Sequence, residues 1–284
     1  MQAHLPPLHT WVCHCKHMDL SNLLERVIHT TLSAGELLIE EWTRPNGPRG
    51  SGDKAEVDVE IELQLREDLL SILPCDFWGE ETGFALTGDQ YCWVVDPNDG
   101  TSDFLRGAKG SAVSIGLLRN GEPVLGVVYA PVLHDRPSDC IGWAKGLPCV
   151  LRNGVPVLTK LSGQVLSSTS TVMMSLAAQS KPGFNAQLCA PAAFEPMPSI
   201  AYRLARVAAG DGIAAISLYP VSAHDVAAGH ALLIGAGGVL LDENGNSIIY
   251  STTDRMKTVS RRCFGGTLEA CQTLVTREWS RVFV

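Results

Sequence analysis

The sequence predicts a mixed α+β or α/β fold, and three observations support it. Two segments between residues 19 and 74 place apolar residues at helical spacing. Strand-like runs separated by turn signals occupy the region up to about residue 158, and helical and strand patterns alternate from about residue 160. A chain of 284 residues, 45% of them hydrophobic, can bury one large core or two modest ones.

The first two elements are predicted helices. Apolar residues recur at helical spacing from Leu20 to Ile39, and Asp19 is a suitable N-cap. The stretch TRPNGPRGSGD at 43–53 then breaks the pattern. In the following segment, 55–74, an apolar residue recurs every fourth position until Pro74, which predicts a second helix that ends there.

The strands come next. The segment SAVSIGLLRNGEPVLGVVYAP at 111–131 contains two apolar runs around Asn120-Gly121, which is a hairpin signal, and VLRNGVPVL at 150–158 is a further hairpin. The segment 199–212 then reads as a helix. The segment 221–246 reads as a helix that passes through Gly237-Gly238 into a strand and turn.

These patterns divide the chain into three expected parts. Residues 18–158 form an N-terminal α+β half, and residues 159–284 form a C-terminal α/β half. We expect residues 1–17 to be a disordered leader, because the amphipathic pattern begins only at Asp19. This leader contains HTWVCHCKHM, whose cysteines and histidines are also compatible with binding of a soft metal.

Charge and composition narrow the function. The net charge of −8 and a pI near 5.5 argue against a nucleic-acid polymer as partner, because phosphate neutralisation needs clustered Lys and Arg. No apolar run approaches the roughly 20 residues that cross a bilayer, so we expect a soluble, cytoplasmic protein. Most of the nine cysteines lie in apolar surroundings, which favours reduced thiols.

The stretch WVVDPNDGTS at 93–102 places two carboxylates three residues apart at the end of an apolar run. Pro97 and Gly100 allow the chain to bend so that Asp96 and Asp99 face one point. Two such anions about 4 Å apart repel by about 4 kcal/mol at an effective dielectric near 20. A hard divalent cation between the two carboxylates turns this repulsion into net attraction. The stretch is not an EF-hand, because the twelfth position of that loop requires a bidentate Glu and here would be Gly107.

Three motifs in order carry a family resemblance: GEET at 79–82, DPNDGTS at 96–102 and AHDVAAG at 223–229. Together with SIGLL and GVVYAP at 114–131, they resemble the inositol monophosphatase superfamily from about residue 18 to about residue 266. The resemblance implies a layered α-β-α-β-α sandwich and a phosphomonoesterase that needs Mg²⁺, is sensitive to Li⁺ and is often a homodimer.

The resemblance also implies a ligand set for two or three Mg²⁺ ions, with Mn²⁺ as a substitute and with Ca²⁺ and Li⁺ as inhibitors. Asp96 would bridge two ions, with Glu80 on one side and Asp99 and Asp225 on the other. The implied ligands are Glu80, Asp96, the backbone carbonyl of Asn98, Asp99 and Asp225.

Further roles follow from the same resemblance. Asp58 stands where the family has an acidic residue that holds a metal-bound water. Glu60 and Glu62 remain alternatives, because Lys54 departs from the usual family motif near this position. Thr101, paired with Asp58 or Glu80, would orient the attacking water. The amides of Gly100, Thr101 and Ser102 would bind phosphate oxygens. Arg203 and Asp225 would contact the substrate.

The substrate stays open at this level. Inositol-selective members carry a Glu before the third motif, whereas this chain has SLYP at 217–220. The segments at 103–118 and 126–131 look nearer to 3′(2′),5′-bisphosphate nucleotidases, although many of those carry SEE where this chain has GEET. His224 replaces a Trp found in many relatives, and we expect it to pack rather than donate a proton. A metal-binding regulatory relative without turnover is the other alternative.

Overall fold

The computed structural model describes residues 18–283. The α-helices begin where their caps predict: Asp19 accepts hydrogen bonds from the amides of Ser21 and Asn22 at the start of the first one. The helices are α1 Leu20–Trp42, α2 Glu56–Ile72, α3 Thr101–Leu105, α4 Pro182–Cys189, α5 Ile200–Ala208, α6 Ala223–Gly235, α7 Thr253–Lys257 and α8 Leu268–Val275. Two 3₁₀ turns span Leu176–Ser180 and Trp279–Phe283.

Ten strands precede residue 157, and the first two of them form a separate short ribbon. They are β1 Gly50–Ser51, β2 Lys54–Ala55, β3 Asp76–Gly79, β4 Phe84–Ala85, β5 Tyr91–Asp99, β6 Ala112–Arg119, β7 Glu122–Ala130, β8 Asp139–Ala144, β9 Leu151–Arg152 and β10 Val155–Pro156. The other eight form one sheet in the order β10-β9-β8-β7-β6-β5-β3-β4. Every pairing in it is antiparallel except that of β3 with β5.

Five later strands form a second sheet. They are β11 Thr171–Ser175, β12 Ala193–Met197, β13 Ala214–Ser217, β14 Val239–Leu241 and β15 Cys263–Gly266, in the order β12-β11-β13-β15-β14. The strand β11 runs parallel to β12 and β13, whereas β15 is antiparallel to β13 and β14. This mixture follows from the helices that connect the strands on this side of the molecule.

The elements stack in five layers. The helices α1 and α2 cover one face of the first sheet, and α5 and α6 lie between the two sheets. The helices α4 and α8 cover the far face of the second sheet. Three buried apolar clusters hold the layers together, one at each outer interface and one that spans both sides of α5 and α6, so the predicted α-β-α-β-α sandwich is confirmed.

The helix α6 packs unusually close to the first sheet. A Cβ atom at Gly126 would lie 2.3 Å from the carbonyl oxygen of Ala228, and one at Gly116 would lie 3.0 Å from the Ala228 amide nitrogen. Two strands therefore need glycine where α6 crosses them. This close approach carries the first turn of α6 to the end of β5.

The predicted helices and both hairpins are confirmed, and α2 ends at Ile72, just before Pro74. The division of the chain at residue 158 stays a prediction, and the HTWVCHCKHM segment lies outside the described residues except for Met18. The seven cysteines in the described part of the chain are all free. None of the helices within residues 18–283 is long and apolar enough to cross a membrane.

Candidate metal centre

The end of β5 bends as the sequence predicts. Its pairing with β6 shifts register between Asp96 and Asp99, which is a β-bulge. The Asn98 amide donates to Asp96 Oδ1 at 2.9 Å, and Gly100 adopts a φ of 97°, which favours glycine. The strand therefore ends with both aspartates directed to one region instead of to opposite faces.

Asp99 is held by the start of α5. Its Oδ2 atom accepts hydrogen bonds from Ser199 Oγ and from the Ala201 amide, both at 2.6 Å. Ser199 is also the N-cap of α5, because its Oγ accepts the amide of Tyr202 at 2.9 Å. The Asp99 carboxylate, which belongs to the first sheet, is thus fixed by α5, a helix that packs on the second sheet.

Glu80 reaches the same place from β3. Because β3 pairs in parallel with β5, with Gly79 opposite Val95, the residue after β3 lies beside Asp96. The Glu80 amide donates to the Val95 carbonyl at 3.2 Å, which continues the pairing by one residue. Glu80 is the exposed member of the site, whereas Asp96 is 1% exposed.

Asp225 comes from the first turn of α6. It forms a capping box with Ser222: the Asp225 carboxylate accepts the Ser222 amide, and the Ser222 side chain accepts the Asp225 amide. This capping box fixes the first turn of α6. The turn lies close to the first sheet because β6 and β7 have glycines where α6 crosses them. His224 precedes Asp225 in this turn.

These residues form two overlapping groups. Atoms of Glu80, Asp96 and His224 that could bind a metal lie within 4.8 Å of one another, and the same holds for Asp96, Asp99 and Asp225. Asp96 belongs to both groups. The structure therefore brings together the four predicted carboxylates, with Asp96 between Glu80 on one side and the pair Asp99 and Asp225 on the other.

The electrostatics show that these carboxylates repel one another. Burial, followed by the charges of Glu80, Asp99 and Asp225, raises the pKa of Asp96 well above its ordinary value. Burial and the neighbouring acids raise the pKa of Glu80 to about 8. Burial raises the pKa of Asp225 and of Asp99 to about 6, although Ser199 and Ala201 oppose the shift at Asp99.

The donor set fits a hard divalent cation. Four carboxylates converge, and the Arg203 guanidinium, whose charge acts on Asp99, makes its own hydrogen bonds to the backbone carbonyls of Ser199 and Ile216. Oxygen ligands of this kind suit Mg²⁺, Ca²⁺ or Mn²⁺. The role of these residues as metal ligands stays a prediction, as does that of the Asn98 carbonyl, which accepts Thr101 Oγ1 at 2.9 Å.

Of the three candidate acids of α2, Asp58 lies beside Thr101, and its role in holding a metal-bound water stays a prediction. Asp58 is buried, and its Oδ2 atom lies 2.9 Å from Thr101 Oγ1 while its Oδ1 atom accepts Asn98 Nδ2 at 3.0 Å. Burial raises its pKa to about 7, against the opposing hydrogen bonds from Thr101 and Asn98. Glu60 instead pairs with Arg49 at the surface, and Glu62 binds the backbone of the segment after Glu80.

Arg203 does not face the open site. Its side chain is buried, and burial lowers its pKa to about 10 despite the nearby charge of Asp99. Its position secures the first turn of α5, which in turn holds Asp99. The structure thus shows a supporting role for Arg203 at the start of α5, and its contact with the substrate stays a prediction.

Two residues that sequence reasoning did not assign to the site hold its carboxylates. Ser199 fixes Asp99, and Ser222 fixes Asp225. A serine before a helical pattern is a local signal for an N-cap, and S-x-x-D at 222–225 is a signal for a capping box. The local signal does not identify Asp99 as the partner of Ser199, because the two residues lie 100 positions apart in the chain.

Comparisons with known proteins concern the family and the fold of the chain. The sequence model of the inositol monophosphatase family matches residues 19–277. The inositol-1-monophosphatase of Mesorhizobium japonicum is 31% identical over 253 residues, which cover 80% of this chain and 88% of the relative. The 3′(2′),5′-bisphosphate nucleotidase CysQ of Salmonella typhimurium is 33% identical over 238 residues, 81% of this chain and 94% of the relative.

Solved structures share the fold. An inositol monophosphatase from Anabaena superposes with a TM-score of 0.69 at 25% identity and covers 93% of this chain and 96% of its own. An IMPase from Thermotoga maritima superposes with a TM-score of 0.73 at 21% identity, over 89% of this chain and 95% of its own. The second likeness concerns the fold alone.

Proposed function

The chain belongs to the inositol monophosphatase family and is a phosphatase, and from that premise we propose that it hydrolyses a small phosphate monoester with the help of Mg²⁺. The observation that carries this proposal is the position of Asp96 between two groups of acids within 4.8 Å. Such an arrangement suits two cations that share one carboxylate. When bound, Mg²⁺ lowers the pKa of a water and neutralises charge on the phosphate.

The protein residues then have separate tasks. The Thr101 hydroxyl lies 2.9 Å from both Asp58 Oδ2 and the Asn98 carbonyl oxygen, so these two acceptors share its single proton and its lone pairs can accept a hydrogen bond from a water. Asp58 keeps this orientation because Asn98 holds its other oxygen. The first amides of α3, from Thr101 and Ser102, have no partner within the helix and are available to phosphate oxygens.

Metal dependence provides the first test. Phosphate release should require added Mg²⁺, with Mn²⁺ as a weaker substitute, and should stop in excess chelator. Addition of Li⁺ or Ca²⁺ should inhibit it. Release that continues unchanged after thorough chelation would contradict the proposal, because no side-chain nucleophile in the described part of the site takes the place of activated water.

A 3′,5′-bisphosphate nucleotide is a second candidate substrate. The segment 217–220 offers no carboxylate for sugar hydroxyls, and Tyr219 in it is exposed. The match to the Salmonella nucleotidase is as extensive as the match to inositol-1-monophosphatases. Release rates should be compared for inositol 1-phosphate, adenosine 3′,5′-bisphosphate, fructose 1,6-bisphosphate and histidinol phosphate at equal Mg²⁺.

A cavity of about 310 Å³ beside the start of α5 suits the remainder of such a substrate. Pro198 lines it and also lies against Gly100, since a Cβ atom there would be 3.4 Å from Pro198 Cβ. Lys109 contributes positive charge to the wall, Arg206 is paired with Glu195 and Asp211, and Asp135 contributes negative charge. Lys109→Met should raise KM for the bisphosphate more than KM for a monophosphate.

We also propose that the protein is a homodimer that acts on a soluble metabolite, as the family resemblance implies. Light scattering coupled to size-exclusion chromatography measures the mass directly. A mass near that of one chain, 30.5 kDa, would contradict the dimer without affecting the proposed reaction.

A further inference from the structure

His224 lies in the metal centre. A residue with only a packing role there would not need the ring nitrogens that histidine has. We propose that His224 is a nitrogen ligand of the cation held by Glu80 and Asp96, and that it makes this side of the centre select a transition-metal ion over Mg²⁺. The inference rests on the proposed metal centre and concerns the identity of one of its ions. It assigns a ligand beyond the four carboxylates.

The geometry separates His224 from Asp225. Neighbouring residues on an α-helix point about 100° apart, so two successive side chains of one turn face different directions. The two groups reflect this: His224 joins Glu80 and Asp96, whereas Asp225 joins Asp96 and Asp99. The capping box with Ser222 holds the turn that presents both.

The imidazole has no other partner to explain its place. Its Nδ1 atom is buried and makes no hydrogen bond, and its Nε2 atom lies 3.8 Å from Asp225 Oδ1, too far for a hydrogen bond. Only 16% of the side chain is exposed. Buried polar atoms nearly always have a partner, so a bound cation accounts for an orphan that packing alone leaves unexplained.

The orientation also matches the usual environment of a metal-binding histidine. Such a residue binds the ion through one ring nitrogen and directs the other N–H to a carboxylate or carbonyl. In His224 the nitrogen without a partner is Nδ1, and Nε2 is directed towards Asp225. A small shift closes the 3.8 Å gap once the ion fixes the ring.

The chemical consequence is selectivity. Mg²⁺ prefers oxygen ligands and retains several waters, whereas imidazole suits Zn²⁺, Fe²⁺, Ni²⁺ or Cu²⁺. The Asp99 and Asp225 side has carboxylates only. The two positions of the centre should therefore differ, with a transition-metal ion on the Glu80 side and Mg²⁺ on the other.

Pulsed electron paramagnetic resonance of the full-length protein with Mn²⁺ tests this without any turnover. We expect ¹⁴N coupling to bound Mn²⁺ in the wild type and its loss in His224→Phe, which keeps an aromatic ring. Calorimetry should show an Mn²⁺ Kd at least about 10-fold higher in this variant. The Mg²⁺ Kd should change less than about 3-fold.

Two controls isolate the signal. His230→Phe makes the same substitution at a buried histidine of α6 that instead contacts the Tyr250 hydroxyl at 3.2 Å, and it should retain the ¹⁴N coupling. The fivefold variant His9→Asn, Cys13→Ser, His14→Asn, Cys15→Ser, His17→Asn removes the soft ligands of HTWVCHCKHM and should retain the ¹⁴N coupling also. Circular dichroism verifies that each variant is folded.

The outcomes separate this inference from the proposed function. Wild-type protein that binds Mn²⁺ without ¹⁴N coupling would overturn the role of His224 and leave the carboxylate centre in place, whatever the variants do. Coupling that persists in His224→Phe would overturn it as well. Mn²⁺ binding that is absent in the wild type would overturn the metal centre itself.

Discussion

Two buried groups of acids in this protein are neutralised in opposite ways. The metal centre contains the carboxylates of Glu80, Asp96, Asp99 and Asp225, and the hydrogen bonds that hold the last three come from neutral donors, namely the Asn98, Ala201 and Ser222 amides and the Ser199 hydroxyl. The second group, here called the arginine cluster, consists of Asp139, Asp211, Arg136, Arg152 and Arg206. In it the protein supplies its own cations.

The arginine cluster joins the two sheets. Asp139 in β8 is fully buried and accepts Arg152 Nε at 2.8 Å and the Tyr202 hydroxyl of α5 at 2.8 Å. Arg152 also forms two hydrogen bonds with Asp211, at 2.8 and 2.9 Å. Burial raises the pKa of Asp139, and Tyr202 and the arginines oppose that shift.

The difference indicates what each group does. Covalently attached cations cannot leave, so the arginine cluster permanently fixes the relative position of β8 and α5. The metal centre lacks them, so its repulsion can be relieved only by protons or by a cation that the protein binds. A site that exchanges charge with solvent is the one suited to bind phosphate as well.

Removal of one acid from the metal centre should have the largest effect. Asp96→Asn removes the carboxylate common to both groups, and we expect phosphate release to fall by about 10³-fold or more, because a bound cation supplies several kcal/mol of transition-state stabilisation. Steady-state phosphate release in saturating Mg²⁺ measures it. Asp103→Asn, on α3 and paired with Arg106, is the matched control and should change the rate less than about 2-fold.

The same type of change in the arginine cluster should act on stability. Asp139→Asn removes the buried carboxylate that Arg152 and Arg136 share and leaves Asp211 as the only acid of the cluster beside its three arginines, so we expect the free energy of unfolding to fall by about 3 kcal/mol, with or without Mg²⁺. Chemical denaturation in urea measures it. An unchanged midpoint would show that the cluster is not a structural link.

A buried group without any charged partner provides a pH test. Burial lowers the pKa of His230 from its ordinary value to about 4, so the unfolded chain binds a proton between about pH 6.5 and pH 4 that the native protein does not. The stabilising difference is therefore present above pH 6.5 and is lost as the pH falls towards 4. We expect a loss of about 2 kcal/mol over this range, measured by urea denaturation.

His230→Gln isolates this contribution. The variant lacks the titrating ring, so its free energy of unfolding should fall less between pH 6.5 and 4.5 than that of the wild type. Parallel curves for the two proteins would contradict the assignment, whatever the absolute stability of the variant.

In excess chelator, removal of an acid should change the free energy of unfolding in opposite directions in the two groups, with a gain in the metal centre and a loss in the arginine cluster. In excess chelator, Asp96→Asn should raise the free energy of unfolding by about 1 kcal/mol, equivalent to roughly 3 °C in Tm, because it removes one of several mutually repelling carboxylates. Differential scanning calorimetry with and without Mg²⁺ measures it. A lower Tm in chelator would show that the acids of the empty centre do not repel.

Much of the fold and of the centre follows from local sequence. The caps, hairpin turns and apolar spacing are local signals, and they predict α1, α2, α5, α6 and both hairpins. The bend at Pro97 and Gly100 is local too, which is why Asp96 and Asp99 could be placed together. The motif order then adds Glu80 and Asp225 through a family resemblance.

What the sequence could not give depends on contacts between distant segments. The resemblance places Arg203 in contact with the substrate, yet α5 lies between two sheets and the guanidinium is buried. The bond from Ser199 to Asp99 and the place of His224 beside Glu80 both require the packing of α5 and α6 against the first sheet. No local pattern specifies that packing.

The smallest expected effect concerns an ion pair outside both groups. Lys145 and Glu122 lie 3.8 Å apart, with 62% and 77% of their side chains exposed. Water screens such a pair, so Glu122→Gln should change the free energy of unfolding by less than about 0.5 kcal/mol in urea denaturation. A loss as large as that of Asp139→Asn would break the comparison, because burial would then not be what makes an unpaired charge costly.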